Sequence, residues 1–183
     1  DEATQAMIRA AVTEGPFADG RPHTAVLTGV EVPSPTVEVV TPGLLASLQD
    51  HPGRIGYWAV GVPPSGPMDD RSHRLANRLL GNPDDAVTVE MTRIGATLRF
   101  MVEAEVCLAG ADMGATVDGA PLAPLTPAVV PAGGELRMGA VRGPGARAYL
   151  AVRGGFMAPE YLGSRSTFAL GGFGGHGGRP LRP

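Results

Sequence analysis

Punctuation by glycine and proline limits this chain more than any other feature. The 27 glycines and 18 prolines make up about a quarter of its 183 residues. They are spread between short apolar runs rather than collected into one tract, which predicts many turns and short strands instead of disorder. No apolar run approaches the roughly 20 residues needed for a membrane helix. With 43% hydrophobic and 18% charged residues, the chain has the material for a packed core. Its length allows one domain, or one domain and part of another.

The spacing predicts a helix over residues 2–14, where Ala3, Ala6, Met7, Ala10 and Ala11 repeat at three and four residues and Gly15-Pro16 stops the pattern. Pro33-Ser34-Pro35 reads as a linker. Beyond it the predicted strands are 36–40, 44–48, 87–91, 97–102, 105–109, 115–118, 135–138 and 147–152. Residues 52–67 are predicted to form an ordered Gly/Pro loop. Asp69 to Leu80 is the one strong helix of this part, capped by Asp69 and closed by Gly81. Its expected buried stripe is Ser72, Leu75, Ala76, Leu79 and Leu80, which puts His73 and Asn77 on a solvated side. The expected fold is therefore mainly β, a barrel or sandwich.

Several functions are excluded early. A formal charge of −3 argues against a nucleic-acid surface. The single cysteine, Cys107, permits no internal disulfide and suits a cytoplasmic protein. The N-terminus lacks the basic and apolar regions of a signal peptide. All fifteen basic residues are arginine. A GC-rich genome accounts for that bias, but the chemical consequence holds: there is no Schiff-base lysine, no P-loop lysine and no lysine to carry biotin. His23, His51, His73 and His176 show no metal-ligand spacing. Ser65, in Pro-Pro-Ser-Gly-Pro, does not form a hydrolase nucleophile elbow.

Four motifs in order carry a resemblance. They are Gln49–Trp58 leading into Gly61-Val62-Pro63-Pro64-Ser65-Gly66-Pro67-Met68-Asp69, then Ser72–Pro83, then Tyr149–Gly155 with Leu162–Thr167, and finally Phe173–Arg179. From about residue 36 to the end the chain resembles the allophanate hydrolase subunit 2 family, which includes the carboxyltransferase domain of urea carboxylase and one of the 5-oxoprolinase subunits. The Gly56-Tyr57-Trp58 version is similar to the urea carboxylase branch, which also includes guanidine carboxylases. Residues 1–32 are similar to the tail of a biotin carboxylase domain, with residues 33–183 the first part of the carboxyltransferase domain. The chain stops soon after the glycine-rich loop, so a truncated piece of a longer polypeptide, inactive alone, is expected.

The resemblance implies an incomplete cyclophilin-like β-barrel. It implies transfer of a carboxyl group from carboxybiotin to urea, giving allophanate. Biotin would arrive on a carrier domain, while ATP and magnesium would be used in the biotin carboxylase domain. The remaining carboxyltransferase half would complete the site. Alternatives are a guanidine acceptor, a 5-oxoprolinase subunit without biotin, and a module that antagonises a kinase inhibitor.

Such chemistry needs donors at the oxygens where charge develops. Ser65, Asp69 and His176 are the expected catalytic residues. Pro64, Gly66, Arg165 and Ser166 are the expected substrate-binding ones. The Pro63–Asp69 loop runs into a helix N-terminus, a place suited to a carboxylate or carbonyl oxygen. Each assignment has a structural counterpart. Asp69 is equally a helix cap, Ser65 a turn stabiliser, Arg165 half of a salt bridge and His176 a turn histidine. Arg54 is expected to be structural, in an ion pair with Asp50.

Overall fold

The computed structural model describes residues 37–183. The predicted helix over 2–14 and the assignment of residues 1–32 lie outside them. Among the described residues ten strands and one α-helix follow one another, with a single 3₁₀ turn at Trp58–Val60. The strands are β1 Val37–Thr41, β2 Leu45–Gln49, β3 Thr88–Thr92, β4 Thr97–Phe100 and β5 Ala104–Gly110. They continue as β6 Thr116–Val117, β7 Ala120–Pro121, β8 Ala128–Val130, β9 Glu135–Arg137 and β10 Arg147–Val152. Helix α1 is Asp70–Leu79.

Two five-stranded antiparallel sheets result. The first has the order β1-β4-β9-β6-β7 and the second β2-β3-β10-β5-β8. Neither closes on the other, so the architecture is a mainly β pair of sheets, an open form of the expected incomplete barrel. The sequence reading misses β7 and β8, which are two and three residues long. Strands that short carry no periodicity to read.

Alternation along the strands decides what each face buries. On β5, Val106 and Leu108 join the main core, while Cys107 and Ala109 turn the other way to meet Ala76 of α1 and Leu80, which caps its C-terminus. On β10, Ala148 and Leu150 enter the main core and Ala151 faces the helix. The central strands of the second sheet are thus buried on both faces, and their sequences read as continuous apolar runs. The outward positions of β2 and β3 are polar: Ser47, Gln49, Thr88 and Glu90. That outer polar face carries the candidate site.

The outer edge of β2 is covered from far along the chain. Thr167 N donates to Leu48 O at 2.9 Å and Leu181 N donates to Ala46 O at 2.8 Å. Covering an edge in this way satisfies carbonyls that would otherwise invite pairing with another chain.

Candidate functional site

The Pro63–Asp69 loop is fastened to the outer face of the second sheet at its Asp69 end. Tyr149 and Glu90 are cross-strand partners. The Tyr149 hydroxyl donates to Glu90 Oε2 at 2.6 Å and accepts from Asp69 N at 2.7 Å. The same carboxylate oxygen accepts from Met68 N at 2.8 Å. Burial, and then the Glu90 hydrogen bond, push the Tyr149 pKa far up, so the phenol keeps the proton it donates. The backbone N–H groups of Met68 and Asp69, just before the helix, are therefore already satisfied.

Helix α1 begins where the loop ends. The Asp69 carboxylate accepts from Ser72 N at 3.1 Å, the cap expected from the sequence. Burial alone would raise the Asp69 pKa, but hydrogen bonds from Ser72 and the Arg71 backbone outweigh it and hold the group below the usual carboxylate value. Asp69 is thus an ionised cap rather than a proton donor.

The expected buried stripe of α1 needs correction. Leu75 and Leu79 are 42% and 37% exposed, whereas His73 and Asn77 are fully buried. The turn after the helix supplies the reason. His73 Nε2 lies 3.0 Å from Asp84 O and Asn77 Nδ2 donates to Ala86 O at 2.8 Å. His73 Nδ1 lies 2.9 Å from Thr88 Oγ1 on β3. A carbonyl only accepts, so Nε2 carries the proton and Nδ1 accepts from the threonine. Burial pushes the His73 pKa below its ordinary value, which keeps that neutral tautomer.

At its other end the loop is organised by Arg54, which is 1% exposed. Arg54 Nη1 donates to Ser65 Oγ at 2.6 Å and Nε to Tyr161 O at 3.1 Å. Nη2 donates to Ser164 O and Ser166 O at 3.2 and 3.1 Å. Backbone hydrogen bonds join Arg54 and Ser65 in both directions. Burial lowers the Arg54 pKa, partly offset by the charge of Asp50.

The expected direct ion pair between Asp50 and Arg54 does not form among the described residues. Serines stand between them. Asp50 Oδ1 accepts from the Ser164 and Ser166 hydroxyls, both at 2.6 Å, and Oδ2 accepts from Arg165 N at 2.7 Å. The carboxylate is satisfied by neutral donors, which leaves the guanidinium to bind carbonyls.

Gly66 is required for packing. A Cβ there would lie 3.0 Å from the Cα of Gly53, and one on Gly53 would collide with Ser65 O. The two loop arms touch backbone to backbone, and this sets Ser65 against Arg54.

The glycine-rich loop closes the assembly. Gly174 lies against Ser166 O and the Arg54 guanidinium. Phe173 packs on Tyr161 and Phe168, with its ring centre 4.9 Å from the Arg54 guanidinium carbon. His176 is exposed on this loop. Arg165 points to Glu160 at 3.4 Å and lines an open cleft of about 690 Å³ with Asp85, Phe156 and Met157.

Ser65, Ser166 and the glycine loop therefore converge on Arg54, with Gly66 packed on the neighbouring Gly53 and the Arg165 backbone held by Asp50. Pro64 lies beside Ser65 in the same loop. Asp69 sits at the far end of that loop, held by Tyr149. Sequence reasoning missed Glu90 and Tyr149. It also missed the central place of Arg54, although that arginine sits inside the first motif. Among the described residues, no group of three or more His, Cys, Asp or Glu side chains is arranged to hold a metal ion. No described helix is long and apolar enough to cross a membrane.

The donors at this site suit an oxyanion or a carbonyl oxygen. The Ser65 hydroxyl has a cation on its oxygen and no acceptor for its proton among the described residues. Trp58, Ile55 and Met68, on the same stretch, are 72%, 58% and 70% exposed and offer apolar surface beside it.

Comparison with known proteins gives a consistent picture. The model of the carboxyltransferase domain, subdomains A and B, matches residues 60–183. Urea amidolyase of Saccharomyces cerevisiae is 41% identical over 96% of this chain, which spans only 10% of that relative. The crystal structure of Kluyveromyces lactis urea carboxylase superposes with a TM-score of 0.79 at 43% identity, over 96% of this chain and 16% of that one. A 5-oxoprolinase subunit of Haemophilus influenzae is 35% identical over 75% of this chain and 44% of its own length.

Proposed function

Because the chain belongs to the carboxyltransferase domain family, subdomains A and B, we propose that it moves the carboxyl group of carboxybiotin to urea, giving allophanate, as part of a larger urea carboxylase. One observation carries this choice within the family. Likeness to the urea amidolyase and urea carboxylase extends over 96% of the chain at 41–43% identity, against 75% at 35% for the oxoprolinase subunit.

The residues fit the group they would receive. With no lysine in the chain, the cofactor is carried on another domain and reaches this site as a ligand. Bound carboxybiotin supplies the activated carboxyl group. The Ser65 O–H donates to the oxygen on which negative charge builds. Pro64 and Gly66 fix the loop that presents it. The exposed Trp58, Ile55 and Met68 offer the apolar surface that excludes water around a bound biotin. Ser166 holds the Asp50 side of the site, and the outward-facing Arg165 and His176 meet substrate across the gap to the remaining carboxyltransferase half. Residues 1–32 are the C-terminal tail of a biotin carboxylase domain, where ATP and magnesium are consumed.

The test is ATP-dependent bicarbonate fixation by the full-length protein, with urea, guanidine and 5-oxoproline offered side by side. Avidin-sensitive turnover with urea preferred supports the reading. A guanidine preference keeps the transfer and changes the acceptor. ATP hydrolysis only with 5-oxoproline, insensitive to avidin, overturns it.

A further inference from the structure

Arg54 is almost completely buried, at 1% exposed. Its side-chain hydrogen bonds reach three carbonyl oxygens and one hydroxyl, and no carboxylate. A buried cation whose hydrogen bonds go only to neutral groups is costly, with the charge of Asp50 offsetting part of that cost, and well-packed apolar residues often replace buried ion pairs without loss of stability. Keeping a guanidinium here calls for a task that an apolar side chain does not perform.

The geometry points to Arg54 as the positioning residue for Ser65. This inference rests on the reading of Ser65 as the donor to developing charge. The charge-assisted bond from Nη1, at 2.6 Å, occupies a lone pair of Ser65 Oγ. The hydroxyl proton is then turned away from the guanidinium, toward whatever the loop faces. A cation behind the oxygen polarises the O–H, which makes it a stronger hydrogen-bond donor. The same cation makes the oxygen a poorer nucleophile. No base touches the hydroxyl among the described residues, so Ser65 works as a donor and forms no covalent bond.

Arg54 also couples this donor to the rest of the site. The guanidinium that holds Ser65 Oγ holds Ser164 O and Ser166 O, and it lies against the Phe173 ring. The prolyl loop and the 161–175 segment are thus set by one rigid planar fork. A lysine, with a single point charge, reaches fewer of these acceptors at a time.

A double-mutant cycle in the full-length enzyme tests this, with kcat, KM and Tm measured for wild type, Ser65→Ala, Arg54→Met and the double variant. Ser65→Ala is expected to lower kcat about 10- to 100-fold with KM little changed, as for loss of a transition-state donor. Arg54→Met is expected to lose a similar factor, and the double variant no more than the larger single loss. Arg54→Lys should recover part of kcat. Losses that multiply in the double variant, or an Arg54→Met enzyme that loses Tm while keeping its kcat per folded molecule, overturn the inference.

Amide hydrogen exchange over residues 63–69 separates this from the wider functional reading. Faster exchange there in both Ser65→Ala and Arg54→Lys is expected even if the wild-type enzyme carboxylates no urea, an outcome that would sink the proposed reaction alone. Unchanged exchange in both variants counts against Arg54 as the positioning group.

Discussion

Asp50 and Ser166 grip each other in both directions: the Ser166 hydroxyl donates to Asp50 Oδ1 at 2.6 Å and accepts from Asp50 N at 3.0 Å. They are 116 positions apart in the chain. Ser166→Ala would leave a buried backbone N–H without an acceptor and remove one donor from a buried carboxylate. The expected cost is about 1–3 kcal/mol of folding stability, read from the denaturation midpoint. Combined with Asp50→Asn, the losses should add to less than their sum, since the two residues share one network.

Tyr149→Phe tests the fastening of the loop to the sheet. The phenol oxygen is the acceptor for Asp69 N and the donor to Glu90. The ring stays in place in the variant, so packing is nearly unchanged. Stability should fall by about 1–2 kcal/mol, and exchange at the Met68 and Asp69 amides should quicken, which exchange mass spectrometry would resolve.

Two glycines of the same loop should respond differently. A Cβ at Gly174 would overlap Ser166 O, on a residue with φ of +75°. Gly177 has φ of +62° and nothing within 4 Å of the added carbon. Gly177→Ala should cost about 1 kcal/mol from backbone strain alone, and Gly174→Ala clearly more, since the backbone must also move. Thermal unfolding of the two variants side by side is the measurement. Equal shifts would mean that the loop does not pack on Ser166.

The pH dependence of stability should carry a signature of His73. Burial lowers its folded pKa beneath the ordinary 6.5, so the unfolded chain binds more protons below that value. Stability from this group is complete above about pH 6.5 and declines as pH falls through the folded pKa. In His73→Gln the slope as pH falls below 6.5 should be shallower, whatever the variant's absolute stability. Asp69 acts in a separate window. Its folded pKa lies under 3.8, so its contribution is present above that value and is lost in stronger acid.

Local chemistry in the sequence foretold much of this arrangement. The strands around Leu98, Val106 and Leu150 follow from short apolar runs between turn residues. The start of α1 follows from Asp69, whose carboxylate needs only the next turn to act as a cap. What escaped was set by partners distant in the chain. Leucines 75 and 79 look like a core stripe, and their exposure depends on α1 crossing β5 and β10 on the small face of Ala76. His73 and Asn77 look like surface residues, and they are buried because the carbonyls of Asp84 and Ala86 fold back to meet them. A carbonyl is present at every residue and marks no position in a sequence. The same blindness hid Arg54, whose acceptors at 161, 164 and 166 are main-chain oxygens. The convergence of Ser65 and Ser166 was foreseen only as membership of two motifs, with nothing in the spacing to say that one guanidinium joins them.

The amide groups of Thr167 and Leu181 that cover β2 have a consequence for biosynthesis. A ribosome delivers β2 first and its cover well over a hundred residues later. Until Leu181 has cleared the exit tunnel, the carbonyls of Ala46 and Leu48 face solvent or a neighbouring nascent chain. An early strand of this unit, β2, is therefore sealed late, and the interval of synthesis before its cover arrives is when a chaperone would have most to protect.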